Sequence, residues 1–184
     1  MNFKIVFAIG LVFFSGYSCD EKDTENSKLA ASRDSLAQKE PIMKKENSGK
    51  VTGIGGIFFK TSDPEGMKKW YADNLGLVPN EYGSVMEFRD SDSKEKAYLL
   101  WSPFADKTKY FEPSEKEFMV NFRVQNIEAI VERFKQSGLT VVDSIETFEY
   151  GKFVHVMDPD GNKIELWEPV DSVFEKQYEG KTTK

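Results

Sequence analysis

The same succession of short motifs occurs twice in this chain, and this repeat most limits how it can fold. Two motifs return in the same order: Glu81-Tyr82-Gly83 as Glu149-Tyr150-Gly151, and Leu100-Trp101-Ser102-Pro103 as Leu166-Trp167-Glu168-Pro169. A chain that repeats its motifs in order is expected to repeat its secondary structure. The sequence therefore predicts one domain built from two similar halves.

The first copy predicts a strand, a helix and three more strands. The apolar run 53–59 is typical of a buried strand. Ser62 or Asp63 then offers a helix N-cap, and Pro64 suits the first helical position, so an amphipathic helix is predicted over 64–74. Strands are predicted to follow at 77–80, 84–89 and 97–102.

The second copy predicts the same order of elements. A strand is expected from Phe118 to Val124, and Asn126 is expected to cap a helix that runs to Gln136. Strands are predicted near 140–143, 152–157 and 163–167. Each half would then carry a helix on one face of its sheet, and the other face would be covered by the partner half or by a ligand.

The N-terminus predicts export. Residues 1–18 have the layout of a signal peptide, with Lys4 before the uncharged apolar run 5–14. This run is shorter than the roughly 20 apolar residues that span a bilayer. The lone cysteine, Cys19, comes directly after the predicted signal peptide and resembles the lipid-modified cysteine of bacterial lipoproteins. A membrane-anchored lipoprotein of the cell envelope is predicted, with a soluble secreted or periplasmic protein as the alternative.

Composition predicts the remaining domain boundaries and argues against one class of partner. Residues 19–50 are rich in charged and small polar groups and are predicted to form a disordered tether. The domain is expected to cover 51–170, followed by a C-terminal tail at 171–184. The net charge of −6 argues against a nucleic-acid partner, because phosphate binding needs clustered Lys and Arg.

Four motifs carry a family resemblance over residues 51–170. They are Gly53-Ile54-Gly55-Gly56-Ile57-Phe58-Phe59, Asp63-Pro64-Glu65, Trp70-Tyr71 with Leu75-Gly76-Leu77, and Asp158-Pro159-Asp160-Gly161-Asn162-Lys163-Ile164-Glu165-Leu166. With them the chain resembles the vicinal oxygen chelate superfamily of glyoxalases, bleomycin-resistance proteins and extradiol dioxygenases. The resemblance implies an α+β fold of two tandem βαβββ modules, which form a curled mixed sheet around a cup.

In the enzymes of that family the cup holds a divalent metal through one residue from the first and last strands of each module. The motifs place these four positions on Gly56, Leu99, Met119 and Glu165. Only Glu165 has a suitable ligand atom, whereas a catalytic zinc needs about three protein ligands. No metal cofactor is therefore expected. The alternative is a displaced divalent-metal site in which Glu87, His155 and Glu165 converge.

Strand alternation predicts which other side chains face the cup. Glu87 and Arg89 are expected there in the first half, and His155, the only histidine, is expected at the place matching Glu87. Lys60 and Arg123 could each fix a carboxylate, or could equally be paired at the surface. The predicted ligand-binding set is Phe58, Lys60, Glu87, Arg89, Trp101, Arg123 and Trp167.

Three functions remain open from the sequence. The first is a binding protein that holds a small, partly aromatic molecule in the cup without a metal. The second is a lyase, isomerase or dioxygenase with a displaced metal site, in which Glu165 or His155 acts as general base. The third is an accessory module whose exposed aromatic residues contact a partner. Whether the chain forms a homodimer is also left open.

Overall fold

The structure, a computed structural model, describes residues 48–90 and 93–184. Within them one sheet and three helices form. The elements are β1 Lys50–Thr61, α1 Pro64–Leu75, β2 Ser84–Arg89, β3 Lys96–Ala105, β4 Phe118–Gln125, α2 Ile127–Gln136, β5 Glu146–Phe148, β6 Gly151–Met157, β7 Lys163–Pro169 and α3 Asp171–Tyr178. None of the described helices is long and apolar enough to cross a bilayer. The expected signal peptide, Cys19 and the tether as far as residue 47 lie outside the described residues.

The seven strands lie in the order β2-β3-β1-β4-β7-β6-β5. The first strands of the two halves, β1 and β4, are antiparallel neighbours at the centre. β3 runs parallel to β1, and β7 runs parallel to β4. Each parallel pair needs a crossover, which contains α1 in one half and α2 in the other. The prediction of an α+β fold with two tandem modules and a curled mixed sheet is confirmed, and the sheet is not closed into a barrel.

Local sequence signals set the helix starts as expected. Asp63 caps α1, and its Oδ1 accepts a hydrogen bond of 2.9 Å from the Gly66 amide. Asn126 caps α2 in the same way, accepting from the Ala129 amide at 3.2 Å. Asn126 does so with a left-handed backbone (φ 58°), a conformation that Asn tolerates better than most residues.

The short strands predicted at 77–80 and 140–143 are wrong. Each reduces to one isolated bridge, Pro79 with Ser84 and Val141 with Val156. Pro79 has no amide hydrogen with which to extend a ladder. In the second half the side chain of Asp143, rather than a backbone carbonyl, accepts the His155 amide at 2.8 Å. A three-residue strand, β5, pairs with β6 instead.

The segment 171–184, for which the sequence analysis predicted no element, is attached to the sheet in two ways. Its first part forms α3, in which Phe174 stacks on Tyr98 and contacts the Trp167 ring, with centroids 5.9 and 5.0 Å apart. Its end runs along β2, where the Thr183 amide donates to the Val85 carbonyl at 2.8 Å. The C-terminal segment therefore covers part of the sheet face opposite α1 and α2.

In the last strand of each half, strand pairing and the repeated motif match different residues of the two halves, and the two offsets differ by an odd number. Ile57 pairs with Trp101, and 63 residues later Val120 pairs with Ile164. The repeated Leu-Trp motif instead equates Trp101 with Trp167, which are 66 residues apart. Side chains alternate along a strand, so an odd difference sends the two indoles to opposite faces.

Candidate functional site

A cavity of about 500 Å³ lies on the sheet face opposite α1 and α2. Both halves of the sheet and α3 contribute to its walls. About half of its lining residues are aromatic: Phe58, Tyr82, Tyr98, Phe104, Tyr110, Phe148, Tyr150, Phe153, Trp167, Phe174 and Tyr178. This volume and lining are typical of a small-molecule pocket.

One buried carboxylate organises the polar part of this cavity. Glu165 on β7 is 2% exposed, and its two oxygens accept from three donors. Asn121 Nδ2 donates to Oε1 at 2.6 Å, His155 Nε2 lies 3.0 Å from Oε2, and the Tyr110 hydroxyl donates to the same Oε2. Strand pairing explains the convergence, because β7 lies between β4 and β6, with Asn121 and His155 directly opposite Glu165.

His155 joins Glu165 to a second carboxylate. Its Nδ1 lies 2.6 Å from Asp143 Oδ2, so both ring nitrogens have a carboxylate partner. Burial opposes the charged imidazolium, but hydrogen bonds to Glu165 and Asp143 outweigh it, and the pKa of His155 is raised above its usual 6.5. The Asp143–His155–Glu165 chain is therefore a polar unit held by its own members.

Tyr110 lies in the segment between β3 and β4 and adds a further hydrogen bond to Glu165, at the end of the Asp143–His155–Glu165 chain. The residue as a whole is 40% exposed, while its hydroxyl points inward to Glu165. Burial and the negative charge of Glu165 raise the pKa of Tyr110 far above the ordinary tyrosine value, so the hydroxyl stays protonated and donates. Lys163 supports the segment, since its Nζ donates to the Tyr110 carbonyl at 2.7 Å. Burial lowers the pKa of Lys163.

Five of the candidate cup residues predicted from the sequence line this cavity: Phe58, Leu99, His155, Glu165 and Trp167. Met119 is fully buried beside Phe58 and Phe111. Trp101 does not face the cavity, and its expected place in the cup wall is wrong. It packs on the helix-bearing face, with its ring 4.3 Å from Tyr71 of α1, because of the odd difference between the repeats.

The two predicted cations of the central strands are engaged elsewhere. Arg123 is 4% exposed, and its Nη2 forms an ion pair of 2.6 Å with Asp171 at the start of α3. Its guanidinium also lies 5.2 Å from the Trp167 ring centre. Lys60 lies beyond the cavity, 3.8 Å from Glu117 and 5.6 Å from the Phe111 ring. Neither cation lines the cavity.

The two predicted polar groups of β2 also lie outside the cavity lining. Glu87 Oε2 accepts from Thr182 Oγ1 at 3.5 Å, in the C-terminal segment. Arg89 is exposed at the end of β2 and donates to the Lys94 carbonyl at 3.1 Å. The expected convergence of Glu87 with His155 and Glu165 is therefore wrong, because β2 and β6 lie at opposite ends of the sheet order.

Sequence reasoning missed three residues that bond to Glu165 or His155: Asn121, Tyr110 and Asp143. Asn121 could have been found, since it alternates with Met119 and Arg123 on β4 and so shares their face. Tyr110 and Asp143 lie between strands, where no periodicity applies. Only the folded chain brings them to Glu165 and His155.

Comparison with known families identifies the scaffold. A model of the Glyoxalase/Bleomycin resistance protein/Dioxygenase superfamily matches residues 53–166, which run from β1 into β7. The chain belongs to this superfamily. No curated protein matches it.

Three solved structures are similar to this chain at low sequence identity. Methylmalonyl-CoA epimerase from Mycobacterium tuberculosis is 18% identical, with a TM-score of 0.45 over 67% of this chain and 92% of that one. A variant of the Streptomyces coelicolor methylmalonyl-CoA epimerase, in complex with 2-nitronate-propionyl-CoA, is 15% identical, with a TM-score of 0.49 over 66% and 99%. A Glyoxalase/Bleomycin resistance protein/Dioxygenase superfamily member from Vibrio splendidus 12B01 is 15% identical, with a TM-score of 0.41 over 62% and 97%.

The side chains at the metal-binding positions of this protein do not fit the divalent metal that enzymes of the superfamily hold in the cup. A side chain at Gly56 would begin 2.6 Å from the Phe58 ring, so that position is already filled. The position 63 residues before Glu165 is Ser102 rather than Leu99, and the Ser102 hydroxyl donates to the Tyr82 carbonyl. Glu165 itself accepts from three donors. Among residues 48–90 and 93–184, no group of three acidic, His or Cys side chains is placed to hold a metal ion.

Proposed function

We propose that this protein binds a small, partly aromatic molecule in its cup, without the divalent metal used by enzymes of the superfamily. The observation that carries the proposal is the pairing of an aromatic wall with a polar chain whose members bond to one another. The wall offers flat apolar surface, and the chain offers a fixed set of orienting groups. This is the usual composition of a small-molecule pocket.

The aromatic wall is arranged to receive a flat molecule. Phe153 and Trp167 are stacked with an interplanar angle of 8°, and Phe148 and Tyr150 are stacked at 4°. Phe174 of α3 meets the Trp167 ring from the C-terminal side. A ligand ring that packs against these surfaces gains about 0.5–1.5 kcal/mol per aromatic pair beyond the area that it buries.

Tryptophan fluorescence tests the proposal directly. The chain has three tryptophans, at positions 70, 101 and 167, and only Trp167 lines the cavity. Titration with a panel of small aromatic molecules, in the presence of a chelator, should quench or shift the emission saturably. Trp167→Phe should remove this response, while the matched control Trp101→Phe should keep it.

Two outcomes would contradict the proposal. Binding that disappears with the chelator and returns with zinc or manganese would assign the cup to a metal. A full panel without any saturable response, and without a shift in thermal unfolding, would remove small aromatic molecules as the ligand class.

A second function, general-base catalysis, is favoured by one observation. Glu165 lies in the cavity and is backed by His155 and Asp143, an arrangement that could accept a proton from a carbon acid. Three donors already bond to the Glu165 oxygens, which is why binding is proposed first. NMR can distinguish catalysis from binding alone, because catalysis would exchange a carbon-bound hydrogen of the bound molecule for deuterium in deuterated water. Exchange that is abolished by Glu165→Gln would favour the enzyme.

We also propose that the domain is exported and tethered through acyl chains on Cys19. Support comes from the sequence of residues 1–23, with an apolar run, a single cysteine and an acidic, polar continuation. Labelling of the full chain with a palmitate analogue should modify the native protein and not Cys19→Ala. Equal labelling of both would contradict the tether.

A further inference from the structure

We infer that the molecule bound in the cup carries a protonated amine, and that the cup selects against carboxylates. This inference rests on the proposed function and deepens it by assigning the charge of the ligand. It also argues against one of the two alternatives left open for Lys60 and Arg123, that they fix a carboxylate of the ligand.

The charges that line the cavity are the first argument. Two carboxylates, Glu146 and Glu165, belong to the lining, and the lining contains neither Lys nor Arg. Its only basic group is His155, which lies between Glu165 and a further carboxylate, Asp143. Even with a protonated imidazole, these four groups carry a net negative charge.

The nearest buried cations are turned away from the cavity. Lys163 directs its ammonium to the backbone carbonyl of Tyr110. Arg123 directs its guanidinium to Asp171 and to the Tyr98 carbonyl, at 2.6 and 3.3 Å. An anion that entered the cup would meet carboxylates and aromatic faces, with neither cation available as a partner.

The aromatic wall is the second argument, because a ring face carries negative electrostatic potential and attracts cations. The carboxylates also affect the pKa of two tyrosines in the wall. After burial, Glu165 and Glu146 are among the causes that raise the pKa of both Tyr110 and Tyr150. The field of the carboxylates therefore extends across the cavity.

An unpartnered acceptor is the third argument. Asn121 lines the cavity, is 2% exposed, and its Oδ1 accepts no hydrogen bond within the described residues. The amide cannot be turned over without bringing this oxygen against Glu165, which now receives the Nδ2 hydrogen at 2.6 Å. This oxygen lies against Gly55 and is closed to solvent, so it acts through its uncompensated partial negative charge, which favours a cation in the cavity, and not by bonding to the ligand.

Three molecules of nearly equal shape test the inference at pH 7.5: 2-phenylethylamine, 2-phenylethanol and 3-phenylpropionate. Calorimetric titration of the full chain should show the amine binding at least tenfold more tightly than the alcohol, with the acid weakest. The advantage of the amine over the alcohol should shrink at high salt, because the attraction is partly screened.

Charge reversal locates the effect. Glu146→Lys, on the exposed strand β5, should remove most of the preference for the amine. Glu149→Lys is the matched control: Glu149 is exposed three residues further on, does not line the cavity, and contributes less than Glu146 to the raised pKa of Tyr150. It should preserve most of the preference.

The outcomes separate the two proposals. Equal or tighter binding of the alcohol or the acid would overturn the amine inference and leave the aromatic-binding function standing. Equal loss of preference in Glu146→Lys and Glu149→Lys would overturn the placement of the charge in the cup. No binding by these three or by the wider aromatic panel would overturn the proposed function, and the inference with it.

Discussion

The two halves of the sheet share one plan but bury different amounts of apolar surface under their helices. In the second half, α2 buries Ile127, Ile130 and Val131 against Val154 and Leu166. In the first half, the buried residue of α1 is Lys68, while Trp70 and Leu75 are 52% and 59% exposed. The second half therefore contains the larger apolar core, and the first depends more on single aromatic contacts such as Tyr71 with Trp101.

The opposite face shows a second difference between the halves. The second half supplies Asn121, His155 and Glu165 to the cavity, whereas β1 and β3 supply Gly55, Phe58 and apolar or small side chains. A duplicated scaffold can divide its tasks in this way. The second half holds the polar site and the stacked aromatic rings on a well-packed base, and the first half lines the rest of the cavity.

Core truncation should show the largest contrast between the halves. Ile130→Ala in α2 removes a side chain that is 3% exposed and should cost about 2–5 kcal/mol of unfolding free energy. Leu75→Ala at the end of α1 should stay within about 0.5 kcal/mol, because Leu75 is mostly exposed. Urea unfolding measures both, and equal costs would contradict the comparison.

Two glycines of β1 should respond very differently to an added methyl group. In Gly55→Ala the new Cβ would lie 2.2 Å from Asn121 Oδ1 and 2.8 Å from the Trp167 ring, so we expect a loss of about 1–3 kcal/mol. Gly53→Ala meets no atom within 4 Å and should be neutral or stabilising by up to about 1 kcal/mol. Thermal unfolding of the pair is the measurement. A neutral Gly55→Ala would show that the two halves fit less closely there.

The helix caps offer a smaller contrast. Asp63→Ala should cost about 1 kcal/mol, the usual loss for an N-cap. Asn126→Ala should cost roughly 2 kcal/mol, because alanine also pays for the left-handed backbone that Asn126 adopts. Asn126→Gly keeps the backbone freedom and should cost least of the three, about a few tenths of a kcal/mol. If Asn126→Ala cost no more than Asp63→Ala in urea unfolding, the backbone contribution would be excluded.

The smallest expected effect is a pH dependence that belongs to the second half. A raised pKa in the folded state means that protonated His155 adds stability, which is fully present below the unfolded pKa of about 6.5 and is lost as pH rises through the folded value. His155 is the only histidine, so an imidazole NMR titration reports it without ambiguity. A midpoint above 6.5 is expected. A midpoint at or below 6.5 would show that burial outweighs the carboxylates.

Prediction from sequence succeeded where the signal is local. The helices at 64–74 and 126–136 are confirmed within a residue or two, because a cap at each start and apolar spacing along each helix act over a few residues. It failed at 77–80 and 140–143, where pairing depends on which distant backbone groups are available. The placement of Glu165 and His155 in the cavity agrees with strand alternation. That of Trp101 does not, because the motif repeat differs from the structural repeat by an odd number of residues.

The sequence by itself determined the two-module scaffold, its helix boundaries and the lack of ligand atoms at Gly56 and Met119, since each of these depends on residue type and short-range spacing. Only the tertiary structure decided that Tyr110 and Asp143 join Glu165 and His155, that Arg123 points to α3, and that the C-terminal segment helps to enclose the cavity. The polar contacts join residues that are 12 to 55 positions apart, and Phe174 of the C-terminal segment meets Tyr98 from 76 positions away. Their geometry is set by strand register and by loops, and neither leaves a periodic signal in the chain.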